Sequence, residues 1–514
     1  MQGRKHIAIP SSIDLIILIA AVLKFALHMY IAPGYGLFAD EFYTIALSKH
    51  LAFGYVDLPP LVPALVALSR ALLGESPFAL HIFPALAGSL TLVFVCLIAK
   101  EFGGKSFAVA VSALGFIIVP IWLSRDSIFC YDSIDQMVLA GFLYALVRFL
   151  GTEDRRLWLL LGVLAGIACN TKMTILFMGP GFLLALLISK YRKDLLTRWP
   201  WFGAALCLVL ITPYLLWQVA NDWPTLEYWI RYGTVRLYDA SLPQYLLSTF
   251  LQMNLLLLPL WLLGLYRIFR PIGGVNYGFL GLLFLFTFAL MFVLHAAGRM
   301  LAAVFMPLLA AGAVCVEELL SGARWKLAMR TVAAVYLLAG GLFVIPASLP
   351  ILPFDQAQVF TEKIESLFPP LMQFNTMVLE TSPLLPARLG WDEVVQEVAR
   401  VYDDLPAEDR AVAGIYTDWY PAAGAIDYLG PQYGLPHAVS GSLTYYLWGP
   451  GYSWDVMILL TSKTNRMSVF FNECELKAVV QNEVNTFLLT RHIFVCRQPK
   501  VSAETIWSSA KLFR

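Results

Sequence analysis

Acidic residues stand out in this sequence because most of the chain avoids charge. Asp40 and Glu41 lie just beyond the first apolar run, and Asp57 precedes the double proline Pro59-Pro60. An ionisable residue at the edge of a membrane is costly and is therefore a candidate functional residue. Such a carboxylate can serve as a general base. It can equally cap the following helix, with Asp40 as N-cap residue, and the residues alone leave both interpretations open.

A second acidic group follows the third apolar run. Asp126 is preceded by Arg125, and Asp132 and Asp135 stand three residues apart, a spacing that lets both face one side of a helix. The functional interpretation places these acids in a substrate cavity. The structural alternative is helix capping together with an ion pair to Arg125.

Two isolated cations lie between apolar runs. Lys172 stands in Asn170-Thr171-Lys172, and Arg299 follows Gly298 at a turn. Both side-chain types bind phosphate. The structural alternatives are a lysine that extends to the membrane interface and an arginine held at the lipid headgroups.

The composition predicts a polytopic α-helical membrane protein. The chain is 59% hydrophobic and 14% charged, with mean hydropathy +0.70, whereas an average soluble domain is about 25% charged. Apolar runs long enough to cross a bilayer lie near 13–31, 80–99, 106–123, 133–150, 157–170, 173–189, 199–218, 245–266, 276–295, 300–320 and 325–346. We expect about 11–13 transmembrane helices, the first of them uncleaved rather than a signal peptide. The net charge of +1 gives no indication of nucleic-acid binding.

Basic residues predict the orientation of these spans. With a cytoplasmic N-terminus, the cytoplasmic segments contain 16 Lys and Arg residues and the outer loops contain seven, as the positive-inside rule requires. The acids and isolated cations described above then all lie on or near the outer face. We expect an integral protein of a bacterial inner membrane, with its active site on the periplasmic side.

The predicted organisation is a transmembrane domain over residues 1–346 and a soluble α/β domain over 347–514. The first outer loop, 32–79, has amphipathic helix patterns at 41–53 and 60–73, typical of helices at a membrane interface; a second outer loop covers 219–244. Residues 350–514 carry 30 charged residues, with a helix pattern at 391–404 and strand patterns at 411–416, 455–461 and 491–496. Cys474 and Cys496 are predicted to form a disulfide in an oxidising space, with two buried free thiols as the alternative.

Carboxylates beside isolated cations, at the depth of lipid phosphates, suit sugar transfer from a lipid-phosphate donor. One carboxylate can act as the general base for an acceptor hydroxyl. A phosphate leaving group needs no general acid, since a cation can stabilise its developing charge. Direct displacement would invert the anomeric centre. The seven cysteines show no metal-type spacing, so we predict a metal-independent reaction without a cofactor.

Short motifs in this order resemble the GT-C membrane glycosyltransferases of the glycosyltransferase family 39 type. That group includes protein O-mannosyltransferases and bacterial aminoarabinose transferases that act on lipid A. The motifs are the Asp40-Glu41 pair, Tyr55 to Pro60 (similar to the family's GYxDxPPL), Phe129 to Asp135, Thr171-Lys172, Gly298-Arg299 through Pro307, and Ser440 to Pro450, SGSLTYYLWGP. One departure is Met300-Leu301, where the family often has two tyrosines.

The resemblance implies roles for individual residues. Asp40 is expected to be the catalytic base, with Glu41 supporting the sugar or acceptor and Asp132 as a second acid; Lys172 and Arg299 are expected to hold the donor phosphate. We expect the substrate cavity to be lined by Tyr43, Asp57, Arg125, Asp135 and Arg231.

The partners predicted are a polyprenyl-phosphate sugar donor, membrane lipids and a lipid, glycan or protein acceptor. Two other functions fit less well. A transporter or flippase of a lipid-linked sugar would explain the spans but not acids gathered on one face, and transporters commonly carry inverted repeats. A non-catalytic sensor would leave the charged outer loops unexplained.

Overall fold

The protein is described here from a computed structural model, which is mostly helical. The structure describes residues 11–235, 241–296, 298–322, 324–367, 385–462, 467–482, 484–485, 488 and 490–513. The longest parts of the predicted segments that lie outside these residues are residues 1–10 before the first span, residues 236–240 of the outer loop 219–244, and residues 368–384 of the predicted soluble domain.

Helices account for the chain up to residue 367. They are α1 (Ser12–Ile31), α2 (Ala39–Lys49), α3 (Leu61–Leu73), α4 (Pro77–Glu101), α5 (Ser106–Ile117), α6 (Pro120–Arg125), α7 (Tyr131–Thr152), α8 (Leu157–Cys169), α9 (Thr174–Ile188), α10 (Trp199–Ala220), α11 (Pro224–Val235), α12 (Leu242–Gln252), α13 (Leu258–Ile268), α14 (Gly278–Val293), α15 (Ala302–Ser321), α16 (Lys326–Ser348) and α17 (Phe354–Leu367). Turns of 3-10 helix occur at Lys190–Leu196, Leu255–Leu257 and Gly298–Leu301.

Long apolar helices make this an integral membrane protein. Within the described ranges, six segments are long and apolar enough to cross a bilayer: α1, α4, α7, α10, α16 and Gly298–Ser321, which contains α15. Two sharply bent helix pairs bring the number to eight if each is one span. Every apolar run that the sequence predicts is helical. The predicted number of spans is larger because α5, α8 and α14 are shorter than a full span.

The apolar run at 245–266 differs most from a single straight span. Its two halves, α12 and Leu255–Ile268, are bent by 96°. The break lies at Asn254, whose backbone has a positive φ of 67°. Its side chain donates to Ile118 O at 2.8 Å and accepts from Leu256 N at 3.0 Å. An asparagine that satisfies neighbouring backbone groups in this way stabilises the left-handed conformation and ends the helix.

The C-terminal domain is a small α/β unit. Its helices are α18 (Trp391–Asp403), α19 (Ala407–Val412), α20 (Tyr420–Leu429), α21 (Thr444–Leu447) and α22 (Ala503–Ala510), and its strands are β1 (Ala413–Thr417), β2 (Ala438–Ser440), β3 (Val456–Thr461), β4 (Phe471–Gln481) and β5 (Thr490–Pro499). The sheet order is β2-β1-β3-β5-β4. Strand β1 runs parallel to β2 and β3, and β5 runs antiparallel to β3 and β4.

Cys474 and Cys496 face each other in the register of β4 and β5 and form a disulfide. The predicted disulfide is therefore confirmed. The boundary at residue 346 stays a prediction.

A single hydrophobic core joins the first outer loop to the C-terminal domain. Phe42 and Tyr43 of α2 are buried in the same cluster as Trp391 of α18 and Ile415 of β1. A separate, larger cluster fills the membrane helices. Helix α2 therefore lies between the two parts of the molecule, and the candidate acids Asp40 and Glu41 lie with it.

Candidate active site

Helix α2 positions the acidic pair. It begins at Ala39 with Phe38 as N-cap residue, so Asp40 and Glu41 lie in its first turn, where negative charge interacts favourably with the helix dipole. The alternative in which Asp40 is the N-cap residue is wrong. Glu41 satisfies the cap instead, because its Oε2 accepts a hydrogen bond from Phe38 N at 2.7 Å.

Glu41 is buried, with 1% of its surface exposed. Its Oε1 accepts from Phe129 N at 2.7 Å and from His81 Nε2 at 2.8 Å. The other ring nitrogen of His81, Nδ1, lies 2.9 Å from Ala32 O. Burial opposes ionisation of Glu41, but His81 and Arg388 outweigh it, so the pKa of Glu41 is lowered. The catalytic role of Glu41 stays a prediction; these contacts all go to protein groups.

Asp40 is half-buried and meets a residue of the C-terminal domain. The hydroxyl of Tyr420, the first residue of α20, donates to Asp40 Oδ1 at 2.9 Å. Burial raises the pKa of Tyr420 well above its usual value near 10, and the charges of Asp40 and Asp57 add to this effect. Tyr420 therefore stays a neutral donor to the Asp40 carboxylate.

Asp57, in the loop after α2, contacts Tyr43 of that helix. Tyr43 Oη donates to Asp57 Oδ1 at 2.7 Å and lies 2.8 Å from Thr444 Oγ1. Burial raises the pKa of Asp57 to about 7, with a further contribution from the charge of Asp40. The ring of Tyr43 also packs on that of Tyr420, with centroids 4.7 Å apart. Asp57 and Asp40 are therefore each hydrogen-bonded to one of two tyrosines, Tyr43 and Tyr420, whose rings are in contact.

Asp132, in the first turn of α7, pairs with two cations. Its Oδ2 lies 3.1 Å from Arg125 Nη1, and its Oδ1 pairs with Lys172 Nζ. Lys172 also lies 4.7 Å from the centre of the Tyr131 ring, a cation–π contact. The pairing of Arg125 with an acid of this group, which the sequence left open, is present in the structure. Asp132 as a second catalytic acid stays a prediction.

Arg299 joins this group at a small cavity. The cavity is lined by Arg125, Asp126, Asp132 and Arg299, with Ile121, Trp122, Gln136 and Ala302. Cys130 lies between this group and the acidic pair: burial raises its pKa, and both Asp132 and Asp40 contribute to the shift. The structure thus brings Asp40, Asp57, Asp132, Lys172 and Arg299 to one face of the molecule.

Two further predicted cavity residues, Asp135 and Arg231, contact protein groups. Asp135 is fully buried in α7 and accepts a hydrogen bond from Thr171 Oγ1 at 2.9 Å. Arg231 is exposed on α11, where it pairs with Glu227 at 2.8 Å. Their predicted contact with substrate stays untested.

Several residues near the site escaped the sequence analysis: Tyr420, Thr444, His81, Arg388 and Lys24. Lys24 is an ionisable residue inside the first apolar run, a recognisable signal, and it forms a buried ion pair with Asp126 at 2.8 Å. Thr444 lies in the Ser440 to Pro450 motif, to which no role was given. No local pattern marks the other three.

In chemical terms the site has a carboxylate side and a cation side. Asp40 and Asp57 form the first, and Arg125, Lys172 and Arg299 surround Asp132 on the second, with Tyr131 adjacent to Lys172. Over the described ranges, no group of three or more His, Cys, Asp or Glu side chains could hold a metal ion.

Comparison with known proteins identifies the fold that carries this geometry. Residues 57–217 match the model of the dolichyl-phosphate-mannose-protein mannosyltransferase family. The chain is also similar to the crystal structures of ArnT from Cupriavidus metallidurans, bound to undecaprenyl phosphate (TM-score 0.60, 14% identity) and in the apo state (0.59, 13%), each alignment covering 94% of this chain and 97% of ArnT. The chain has the GT-C glycosyltransferase fold. The resemblance to GT-C enzymes and the predicted fold class are confirmed.

The lipid A galacturonosyltransferase RgtD of Rhizobium johnstonii is another relative of this GT-C chain, 26% identical over 195 residues. That match covers 37% of this chain and only 40% of RgtD. The segment matched by the family model contains Asp57, Asp132 and Lys172. Asp40 and Arg299 lie outside this segment in sequence, and the folding of the chain brings them to the site.

Proposed function

We propose that this protein is an inverting glycosyltransferase. It moves a sugar from a polyprenyl-phosphate donor to a hydroxyl group of a protein, lipid or glycan on the outer face of the membrane. The observation that carries this proposal is that Tyr131, which contacts Lys172, is also acted on by the charges of Asp40, Asp132 and Arg299, within a GT-C fold. Two relatives support it: ArnT was crystallised with undecaprenyl phosphate, and RgtD is named as a lipid A galacturonosyltransferase.

Asp40 acts as general base in this reaction. It accepts the proton of the acceptor hydroxyl as that oxygen forms a bond to the anomeric carbon. The bond from the anomeric carbon to the phosphate oxygen breaks, and its electron pair stays with the departing polyprenyl phosphate. Attack opposite the leaving group inverts the anomeric centre.

Arg125, Lys172 and Arg299 receive the negative charge that develops on the phosphate. Arg125 and Lys172 pair with Asp132, Arg299 lines the same cavity, and the neighbouring Asp126 is paired with Lys24. These cations lie in surroundings of low dielectric, where an anion is strongly attracted. Asp132 keeps Arg125 and Lys172 in place for this contact.

The orientation of the chain follows the distribution of basic residues. We place the N-terminus in the cytoplasm, and the site and the C-terminal domain in the periplasm of a bacterium. The Cys474–Cys496 disulfide supports this placement, since disulfides persist in oxidising compartments.

Transfer by purified protein in lipid nanodiscs tests the proposal. Undecaprenyl-phosphate sugars with a radiolabelled hexose, uronic acid or aminopentose are the donors, and extracted envelope glycolipids and proteins are the acceptors. We expect label in an acceptor with the wild-type chain, and a loss of at least about 100-fold in Asp40→Asn, since general-base catalysis contributes about 10²–10⁴. The exposed Asp455 gives the matched control, Asp455→Asn.

Two results would contradict the proposal. Full transfer by Asp40→Asn would remove Asp40 as the base. Movement of intact labelled donor across a sealed vesicle membrane, without label in any acceptor, would identify a transporter instead.

A further inference from the structure

We propose that the C-terminal domain forms one wall of the active site and that its Tyr420 is a positioning residue for Asp40. This inference rests on the proposed function, because it assigns Tyr420 a role in the reaction for which Asp40 is the base. In this proposal the C-terminal domain contributes residues to the active site and is more than a soluble domain attached to a catalytic membrane domain. The site is incomplete without residues contributed from beyond position 385.

The contact between the two residues is direct and well placed. Tyr420 Oη donates to Asp40 Oδ1 at 2.9 Å, across 380 residues of sequence. Tyr420 is rigidly held, because its ring packs against Tyr43 at 4.7 Å and Trp419 at 6.0 Å. A hydrogen bond from a fixed donor to a carboxylate favours the charged form and restricts its rotamer.

The sheet fixes where these contacts are made. Strands β1 and β2 are parallel, and Thr417 stands opposite Ser440 at their carboxyl ends. Tyr420 follows the first of these ends and Thr444 follows the second, so both project from one edge of the sheet. In parallel α/β sheets this edge is the usual location of ligand sites.

Thr444 makes the second contact with the outer loop. Its backbone N donates to Tyr43 Oη at 3.2 Å, and its Oγ1 accepts from Val56 N at 3.0 Å. Since Tyr43 Oη in turn donates to Asp57, at 2.7 Å, the same sheet edge positions both acids. Tyr420 acts on Asp40 directly, and Thr444 acts on Asp57 through Tyr43.

Close backbone packing keeps the two parts together. A Cβ atom at Gly424 of α20 would lie 2.7 Å from the carbonyl group of Phe42. The Phe42 ring also packs against Trp391 and Tyr428, with centroids 5.4 and 5.8 Å away. Helix α20 can therefore lie on α2 only because residue 424 is glycine. This contact starts one helical turn after Tyr420.

Replacement of one hydroxyl tests the role of Tyr420. In the full-length protein in nanodiscs, Tyr420→Phe should lower kcat about 10- to 100-fold, the effect of losing one hydrogen bond to a charged group. The KM for the undecaprenyl-phosphate sugar should change less than about threefold. The acid limb of the pH–kcat profile should move to higher pH, because the carboxylate loses a donor to its charged form.

Tyr428→Phe is the matched control. Tyr428 lies on the same helix and packs on Phe42, and its hydroxyl donates to Glu75 O at 2.6 Å rather than to Asp40 or Asp57. We expect it to keep the wild-type kcat and pH profile. A Tyr420→Phe variant whose kcat per folded molecule and acid limb match those of Tyr428→Phe overturns the inference, even if its yield is reduced.

A thermal double-mutant cycle separates this inference from the proposed function. Tyr420→Phe should lower the unfolding midpoint in the wild-type background but not in Asp40→Ala, where the acceptor is gone. Additive shifts would show that the hydrogen bond does not form in solution, and would overturn the inference while wild-type transfer stands. A wild-type chain that transfers no sugar overturns the proposed function and with it the catalytic role of Tyr420, whatever the cycle shows.

Discussion

Substitution of Glu41 by glutamine should reveal a structural role that the family resemblance does not suggest. The Glu41 carboxylate accepts three hydrogen bonds, from Phe38 N, Phe129 N and His81 Nε2. Whichever way the amide of Glu41→Gln is turned, its NH2 group faces Phe38 N–H or Phe129 N–H. At least one charge-assisted bond is therefore lost. We expect a loss of about 2–4 kcal/mol in the free energy of unfolding.

The assay is unfolding in mixed micelles with an increasing mole fraction of SDS, followed by tryptophan fluorescence. Glu75→Gln is the matched control, because Glu75 forms an exposed ion pair with Arg70 at the end of α3; this change should cost less than about 1 kcal/mol. The pKa of Glu41 is lowered in the folded protein. Its contribution to stability is therefore present above its usual pKa near 4.5 and lost as the pH falls further.

Activity measurements decide between the two roles of Glu41. A structural role predicts that transfer by Glu41→Gln falls with the fraction of protein that is folded and is largely recovered under stabilising conditions. If Glu41→Gln is as stable as Glu75→Gln but has lost transfer, the reasoning from its three contacts is refuted and Glu41 acts on substrate directly.

Three further outcomes are expected. The stability of the wild type relative to Asp57→Asn should fall as pH rises from about 4 to 7, because the raised pKa of Asp57 makes the folded state bind the extra proton; parallel melting curves over this range would contradict that assignment. Gly424→Ala should lower both stability and transfer, since its Cβ meets the Phe42 backbone, whereas Gly322→Ala, which has open space, should melt like the wild type. Mass spectrometry after alkylation of the unfolded chain should show Cys474 and Cys496 modified only after reduction; modification without a reductant would rule out the disulfide.

Hydrophobic patterns in the sequence were sufficient to predict the secondary-structure elements that bury a continuous apolar surface. The strand predictions at 411–416, 455–461 and 491–496 match β1, β3 and β5. All residues of β1 and β3 are buried, and those of β5 are buried or half-buried except Thr490 and Gln498. Strand β4 was missed because most of its residues are exposed at the sheet edge and include Glu473, Glu475 and Lys477. The bend at Asn254 was missed for a different reason. It depends on a hydrogen bond to Ile118, a residue 136 positions away.

In the candidate site, too, local sequence patterns predicted some features, whereas others depend on contacts between distant residues. The topology predicted from the sequence was enough to place Asp40, Asp132, Lys172 and Arg299 on the same side of the membrane, since each stands near the end of an apolar run. The pairing of Asp132 with Lys172 follows from neighbouring helices and needed the fold for its geometry. Tyr420 could not be found from sequence, because a tyrosine after a buried strand has no distinguishing pattern until the sheet is seen to rest on α2.

The contact between the sheet of the C-terminal domain and helix α2 matters for function because α2 carries Asp40 and Glu41. The sequence predicted an amphipathic helix at a membrane interface, which would leave its polar face in water. In the structure, nine of its eleven residues are buried, and a helix enclosed on most sides is held by its neighbours rather than by lipid. Its Asp40 and Glu41 are thus fixed from two directions: His81 of α4 and Phe129, just before α7, hold Glu41, and the C-terminal domain holds Asp40. Any movement of the domain relative to the membrane helices must therefore change the position of Asp40, so the docking of the domain and the position of this carboxylate are one structural property.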